Sequence, residues 1–213
     1  MKFLIKNKIW IAIGLIWLFH LSGIIGVSLG YQDWFITKTP LNLFICLILF
    51  LWTFPMNTQK KILVFIAFFF LGMFSEWLGV NYGLLFGEYY YGSNFGPKVD
   101  GVPLLIGCFW ALLAFITASM TEPLKLPIWI KLMLSSSLMV LLDFFMEQNA
   151  PKFNFWYFGG HVPVKNYVTW FIMGLLMHIV IWKTKIKGNT SVSYNLYLAH
   201  LIFFGFFYLL SVI

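Results

Sequence analysis

Long apolar stretches separated by short polar breaks run the length of the chain, at residues 9–29, 39–54, 62–80, 102–120, 127–146, 166–182 and 194–213. Within them apolar residues occupy whole turns instead of one stripe. That pattern suits helices surrounded by lipid or by one another. A bilayer core of ~30 Å needs about 20 mostly apolar helical residues. The expectation is an all-α, polytopic membrane bundle of about seven transmembrane helices in one integral-membrane domain, residues 1–213. The second stretch is short, so a six-span arrangement is the alternative.

Composition agrees. Of 213 residues, 61% are hydrophobic and 10% charged, against about 25% charged in an ordinary soluble domain. Too little charge remains to cover a water-facing surface. The aromatic share, 21% with 25 Phe, suits lipid contact, interfacial belts or a greasy cavity. The two cysteines, Cys46 and Cys108, lie inside apolar runs as small packing residues and do not indicate a redox compartment. The start, Met1 to Lys8 and then apolar residues, imitates a secretory leader. Its apolar run is longer than the usual leader core and no A-x-A-like site closes it, so it reads as a retained first span.

Charge decides between six spans and seven. The net charge is +7 and every basic residue is Lys, set in short runs beside apolar segments. This fits a cytoplasmic membrane face better than a nucleic-acid patch. Seven spans with a cytoplasmic N-terminus put ten lysines inside (Lys2, Lys6, Lys8, Lys60, Lys61, Lys125, Lys131, Lys183, Lys185, Lys187) and four outside (Lys38, Lys98, Lys152, Lys165). Omitting the second span leaves six inside and eight outside, against the positive-inside rule. Two longer loops, residues 81–101 and 147–165, then fall on the outer side. Rich in Gly, Pro, Tyr and Trp, they are expected to fold over the bundle mouth. The expected location is the cytoplasmic membrane, as a multi-pass protein.

Ionisable groups at bilayer depth are costly, and so are functional candidates. Glu76 shares a helix face with Gly72, Gly79 and Gly83, which predicts close packing against a neighbouring helix. Asp143 and Glu147 share a face of the fifth stretch. Both helices run outward, so Glu76 and Asp143 are expected at one depth. The plainer alternative is helix-to-helix hydrogen bonding, or simple solvation for Glu147, Glu88 and Asp100. Asn166, Trp170, Gly174 and His178 form one continuous face. His178 reads as a satisfied core histidine, and His20 and His200 as isolated structural ones. A rhodopsin would need a Schiff-base lysine in the last span, which has none. No H-E-x-x-H, Cys/His pairing, P-loop or G-x-G-x-x-G occurs, and no metal site is expected.

A carboxylic acid in an apolar, aromatic pocket can stay protonated and donate its proton, because desolvation disfavours the charged form. Given a membrane-dissolved alkene, protonation yields a carbocation, which Tyr and Trp faces stabilise by roughly 0.5–2 kcal/mol each. Tyr82, Tyr89, Tyr91, Trp110, Trp156 and Trp170 are the candidates, and an interfacial belt is the plainer reading of any one of them.

The run from Glu76 to Tyr91 (EWLGVNYGLLFGEYYY), then Gly96-Pro97, Gly101-Val-Pro103 and Trp110, resembles the membrane carotenoid biosynthesis proteins. So does a second block: Leu142-Asp143, Met146-Glu147, Ala150-Pro151, Phe155-Trp156 and Asn166 to Trp170 (NYVTW). Residues 159–163, Gly-Gly-His-Val-Pro, depart from the Tyr-Gly-Val-Pro-like sequence of many members. The resemblance implies a carotenoid 1,2-hydratase of the γ-carotene or bisanhydrobacterioruberin type, adding water to an acyclic ψ-end group. Glu76, Asp143 and Glu147 would be catalytic. Tyr82, Tyr89, Tyr91, Trp110, Trp156, Asn166 and Trp170 would bind substrate. Proton and water suffice, so no cofactor is implied. The partners implied are a carotenoid within the bilayer, membrane lipid and other carotenoid enzymes, with no nucleic acid. A lycopene-type cyclase sharing the protonation step, and a non-catalytic carotenoid-binding protein, are the alternatives.

Overall fold

The computed structural model describes residues 2–212, with side chains from residue 7. The side chains of Lys2 and Lys6, and all of Met1 and Ile213, lie outside the described residues. The chain forms helices α1 (Lys2–Ser28), α2 (Gln32–Ile36), α3 (Thr39–Thr53), α4 (Gln59–Tyr82), α5 (Leu104–Thr121), α6 (Ile128–Asn149), α7 (Val164–Lys183) and α8 (Thr190–Val212). Four short strands sit in the loops: β1 (Tyr89–Tyr91), β2 (Lys98–Val99), β3 (Val102–Pro103) and β4 (Trp156–Phe158). Among the described residues, six helices are long and apolar enough to cross a membrane, and α3 is a shorter apolar one. The protein is an all-α polytopic bundle.

Local sequence sets the helix ends. Pro103, Pro127 and Pro163 stand immediately before α5, α6 and α7 in extended backbone. Proline has no N–H to leave unbonded and a φ already suited to a helix start. The Thr58 side chain accepts from the Lys61 backbone N–H and opens α4. Gly83 closes it at φ 63, the left-handed cap that glycine adopts without steric cost. Asp100 and Gly101, at φ 50 and 84, make the two-residue turn between β2 and β3.

Helix α5 is the axis of the bundle. It is buried along most of its length and touches α3, α4, α6, α7 and α8. The outer faces of the other helices carry exposed Phe, Leu, Ile and Trp, among them Phe70, Phe74, Leu176 and Ile202. Such faces suit lipid.

The two poles of the bundle differ. At one, Lys8 Nζ reaches Trp52 O and Lys60 Nζ reaches Thr184 O, both at 3.4 Å, and Lys187 pairs with Glu122 at 2.8 Å. At the other, both long loops fold together: β1 pairs antiparallel with β4, Tyr89 opposite Phe158 and Tyr91 opposite Trp156. Helix α3 runs between the poles. Its first turn lies beside Gly96 in the loop layer, and Phe54, just past its end, packs on Gly188.

Candidate active site

Glu76 is buried in α4 and accepts from three side chains. Tyr91 Oη donates to its Oε2 at 2.7 Å, Tyr89 Oη donates to the same oxygen, and Trp110 Nε1 donates to Oε1 at 2.8 Å. Burial pushes both loop phenols well above the ordinary tyrosine value, so each keeps its O–H to donate. The glycines on Glu76's face make room for these donors. A Cβ at Gly72 would lie 2.8 Å from Trp110 Cβ, and one at Gly79 would lie 2.7 Å from Tyr89 Cε1. The predicted helix-to-helix contact therefore holds at Gly72. At Gly79 the neighbour is a loop, and Gly83 has left the helix as its cap.

Asp143 and Glu147 come from α6, one turn apart. The Asn166 amide, from the first turn of α7, donates to Asp143 Oδ2 at 2.9 Å and to Glu147 Oε1 at 3.1 Å. Trp156 Nε1, from β4, donates to Glu147 Oε2 at 2.7 Å. Asp143 thus accepts one side-chain bond where Glu147 accepts two and Glu76 three. Its Oδ1 is the one carboxyl oxygen of the six with no donor among the described residues.

All three carboxyl groups face one cavity of about 20 Å³, enough for a single water among polar groups. Tyr89, Tyr91, Trp156, Asn166 and Trp170 complete its polar and aromatic wall. Trp110 stands behind it, its ring stacked on Trp170 at 3.7 Å and 16°. Tyr89, Tyr91, Trp156 and Phe158 of the β1–β4 pair form one side of the cavity, and no lysine or histidine lines it. Asn, Tyr and Trp donors reach five of the six carboxyl oxygens and leave Asp143 Oδ1 without one.

Nearly all the sequence-predicted site residues therefore meet at one point. Tyr82 does not. It is 61% exposed and packs edge-to-face on Trp77 at 5.1 Å on the outer surface. Six residues beyond Glu76, it is turned to the far side of α4. Sequence reasoning also missed Phe86, Ile106, Met146 and Phe158, which line the cavity. Phe158 had no signal short of the β1–β4 register, whereas Met146 lies three residues after Asp143 on the same helix face.

Glu88 and Asp100 are exposed, but Asp100 also accepts from Trp77 Nε1 at 2.5 Å. His178 is a satisfied core histidine, hydrogen-bonded to Thr117 Oγ1 at 2.8 Å and Ser136 Oγ at 3.1 Å. His20 and His200 are not isolated: their rings lie 4.7 Å apart. Helical spacing relates residues within one helix only, so this meeting of α1 and α8 had no sequence signal.

The fold and the site together define a helical membrane protein that gathers three buried carboxyl groups, aromatic donors and a water-sized space between its helices. The carotenoid biosynthesis protein profile matches residues 38–213, and the chain belongs to that family. No curated protein and no solved structure matches it.

Proposed function

We propose that the protein is a carotenoid 1,2-hydratase acting on an acyclic ψ-end group. One observation carries the reading: a water-sized cavity walled by three buried carboxyl groups, of which Asp143 alone has an oxygen to spare. Asp143 gives its proton to the CH carbon of the terminal (CH₃)₂C=CH– bond. The π electrons form the new C–H bond and leave a tertiary cation. The water adds to that carbon through oxygen and returns a proton to the carboxylate cluster, restoring the acid. Glu76, committed to three donors, is assigned to the cation's charge, and the free face of Trp170 supports it. Asn166 holds Asp143 and Glu147 in register.

The cavity is too small for a polyene end, so the substrate must displace side chains. A groove of about 440 Å³ between α1, α2 and α3 shares Thr39, Asn42 and Phe203 with an inner pocket, and that pocket shares Met146 with the carboxylate cavity. This succession supports lateral access from lipid, with the end group passing Met146. In the same reading the lysine-rich pole faces the cytoplasm, α3 completes seven crossings of the cell membrane, and the site lies in the outer half. A cyclase would use the same protonation. Space for one water against the carboxyl groups favours hydration.

Expression in a host that makes γ-carotene or lycopene tests this. The expected product is more polar and heavier by one water. A product of unchanged mass with a shifted absorption spectrum would make it a cyclase. Unchanged carotenoid, with the protein verified in the membrane, would sink both.

A further inference from the structure

Three buried side chains from three helices meet away from the carboxylates: His20 of α1, Cys46 of α3 and His200 of α8. Their potential ligand atoms all lie within 4.8 Å of one another. Each histidine has Nδ1 at 2.8 Å from the carbonyl oxygen one turn earlier in its own helix, Ile16 O for His20 and Leu196 O for His200. A carbonyl only accepts, so Nδ1 carries the hydrogen and Nε2 keeps a free lone pair on both rings. This is the outer-shell bond that orients metal-binding imidazoles. His200 Nε2 is buried without a hydrogen-bond partner among the described residues, a cost that native structures rarely leave unanswered. Cys46 Sγ has only a 3.8 Å contact to Asn42 Oδ1.

We infer that His20, Cys46 and His200 bind one copper(I) ion in a three-coordinate site. Two nitrogens and a thiolate select a soft or borderline metal, Cu(I) or Zn(II) above the harder divalent cations. Charge then chooses between these two. Binding releases the thiol proton, so Cu(I) with one thiolate is neutral, whereas Zn(II) would leave a net positive charge. No carboxylate lines the pocket beside these residues, and an unpaired charge there is costly. Three ligands satisfy Cu(I), whereas structural zinc sites take four. The side chains need to close by only about 1 Å to bring the donors to the roughly 3.3–3.8 Å spacing that bonds of 2.0–2.3 Å impose. The ion would fasten α1 to α3 and α8, fixing one wall of the inner pocket.

The full-length protein, purified in detergent under reducing, anaerobic conditions, is loaded separately with Cu(I) and Zn(II) and challenged with bathocuproine disulfonate or EDTA. The wild type should retain one copper per chain. Its X-ray absorption spectrum should show one sulfur and two imidazole nitrogens. Cys46→Ser and His200→Gln should each lower retained copper at least tenfold, while Cys108→Ser leaves it unchanged. Equal retention by wild type and Cys46→Ser, preferential retention of zinc, or a copper spectrum without sulfur and imidazole would overturn the assignment. The wild-type spectrum decides even if a variant misfolds, and none of these readings requires carotenoid turnover.

Discussion

Trp110 of α5 and Trp170 of α7 lie ring on ring, 3.7 Å apart and 16° from parallel. The stack joins the two halves of the site. Trp110 holds Glu76 through its indole N–H, while Trp170 sits one turn after Asn166, which holds Asp143 and Glu147. Positions set by α4 and by α6 are thereby tied through one aromatic contact beside the central helix.

Trp110→Phe keeps an aromatic ring but removes that donor and part of the stack. Glu76 Oε1 loses its only side-chain donor in a buried position, a loss of about 1–3 kcal/mol. Thermal unfolding in detergent should show a lowered midpoint, and product formation should fall. An unchanged midpoint with full activity would mean that Glu76 is not positioned by this bond.

The three carboxyl groups should not be equivalent. Asp143→Asn removes the proposed proton donor with little change of shape, and product formation should drop by about 10²–10⁴, the usual contribution of a general acid. Glu147→Gln keeps one acceptor for Trp156 and should retain more activity than Asp143→Asn. Single-turnover assays on equal amounts of membrane-inserted protein give the comparison. If Glu147→Gln were the more damaged variant, the proton donor would be Glu147.

Gly79→Ala probes the loop-to-helix contact. The added methyl would meet Tyr89 at 2.7 Å from Cε1 and 2.8 Å from Oη, so the phenol must leave Glu76. Overpacking of this kind costs about 1–3 kcal/mol. Activity should fall with the protein still in the membrane. In Tyr89→Phe the same glycine substitution should add little further loss of activity, since the displaced hydroxyl is already gone. Additive losses in the double variant would place the effect elsewhere.

How much of this was legible depends on range. Helices announce themselves locally, so the apolar stretches could be read directly, although Gly83, counted on the helix face of Glu76, caps α4 instead. The common level of Glu76 and Asp143 followed from two helices expected to run the same way, and their shared cavity agrees with it. What could not be read was contact between segments distant in sequence. Tyr82 and Tyr89 look alike in a loop-rich, aromatic run, and only the turn of α4 and the β1–β4 register send one outward and the other to Glu76. Likewise, nothing in the spacing of His20, Cys46 and His200 says that α1, α3 and α8 bring them together.

The path taken by the substrate gives the last prediction. Tyr90, exposed, and Tyr157, half-buried, are opposed across β1 and β4 with rings 5.3 Å apart. Directly opposed residues have Cβ atoms about 4.5–5.5 Å apart, near enough for a disulfide after small backbone adjustment. In a Tyr90→Cys, Tyr157→Cys double variant, oxidation would fasten the two loops over the cavity. If carotenoid comes laterally between α1 and α3, activity should be the same oxidised and reduced, whereas Asn42→Trp, which fills the junction of groove and inner pocket, should slow turnover at low substrate and raise KM. If the loops must part to admit the end group, the oxidised double variant should be inactive and recover on reduction, with Asn42→Trp close to wild type. The lateral path is favoured by the neighbouring pockets that share Met146 as a wall, and because the β1–β4 pair also carries Tyr91 and Trp156, whose bonds to Glu76 and Glu147 would be broken each time the loops separated.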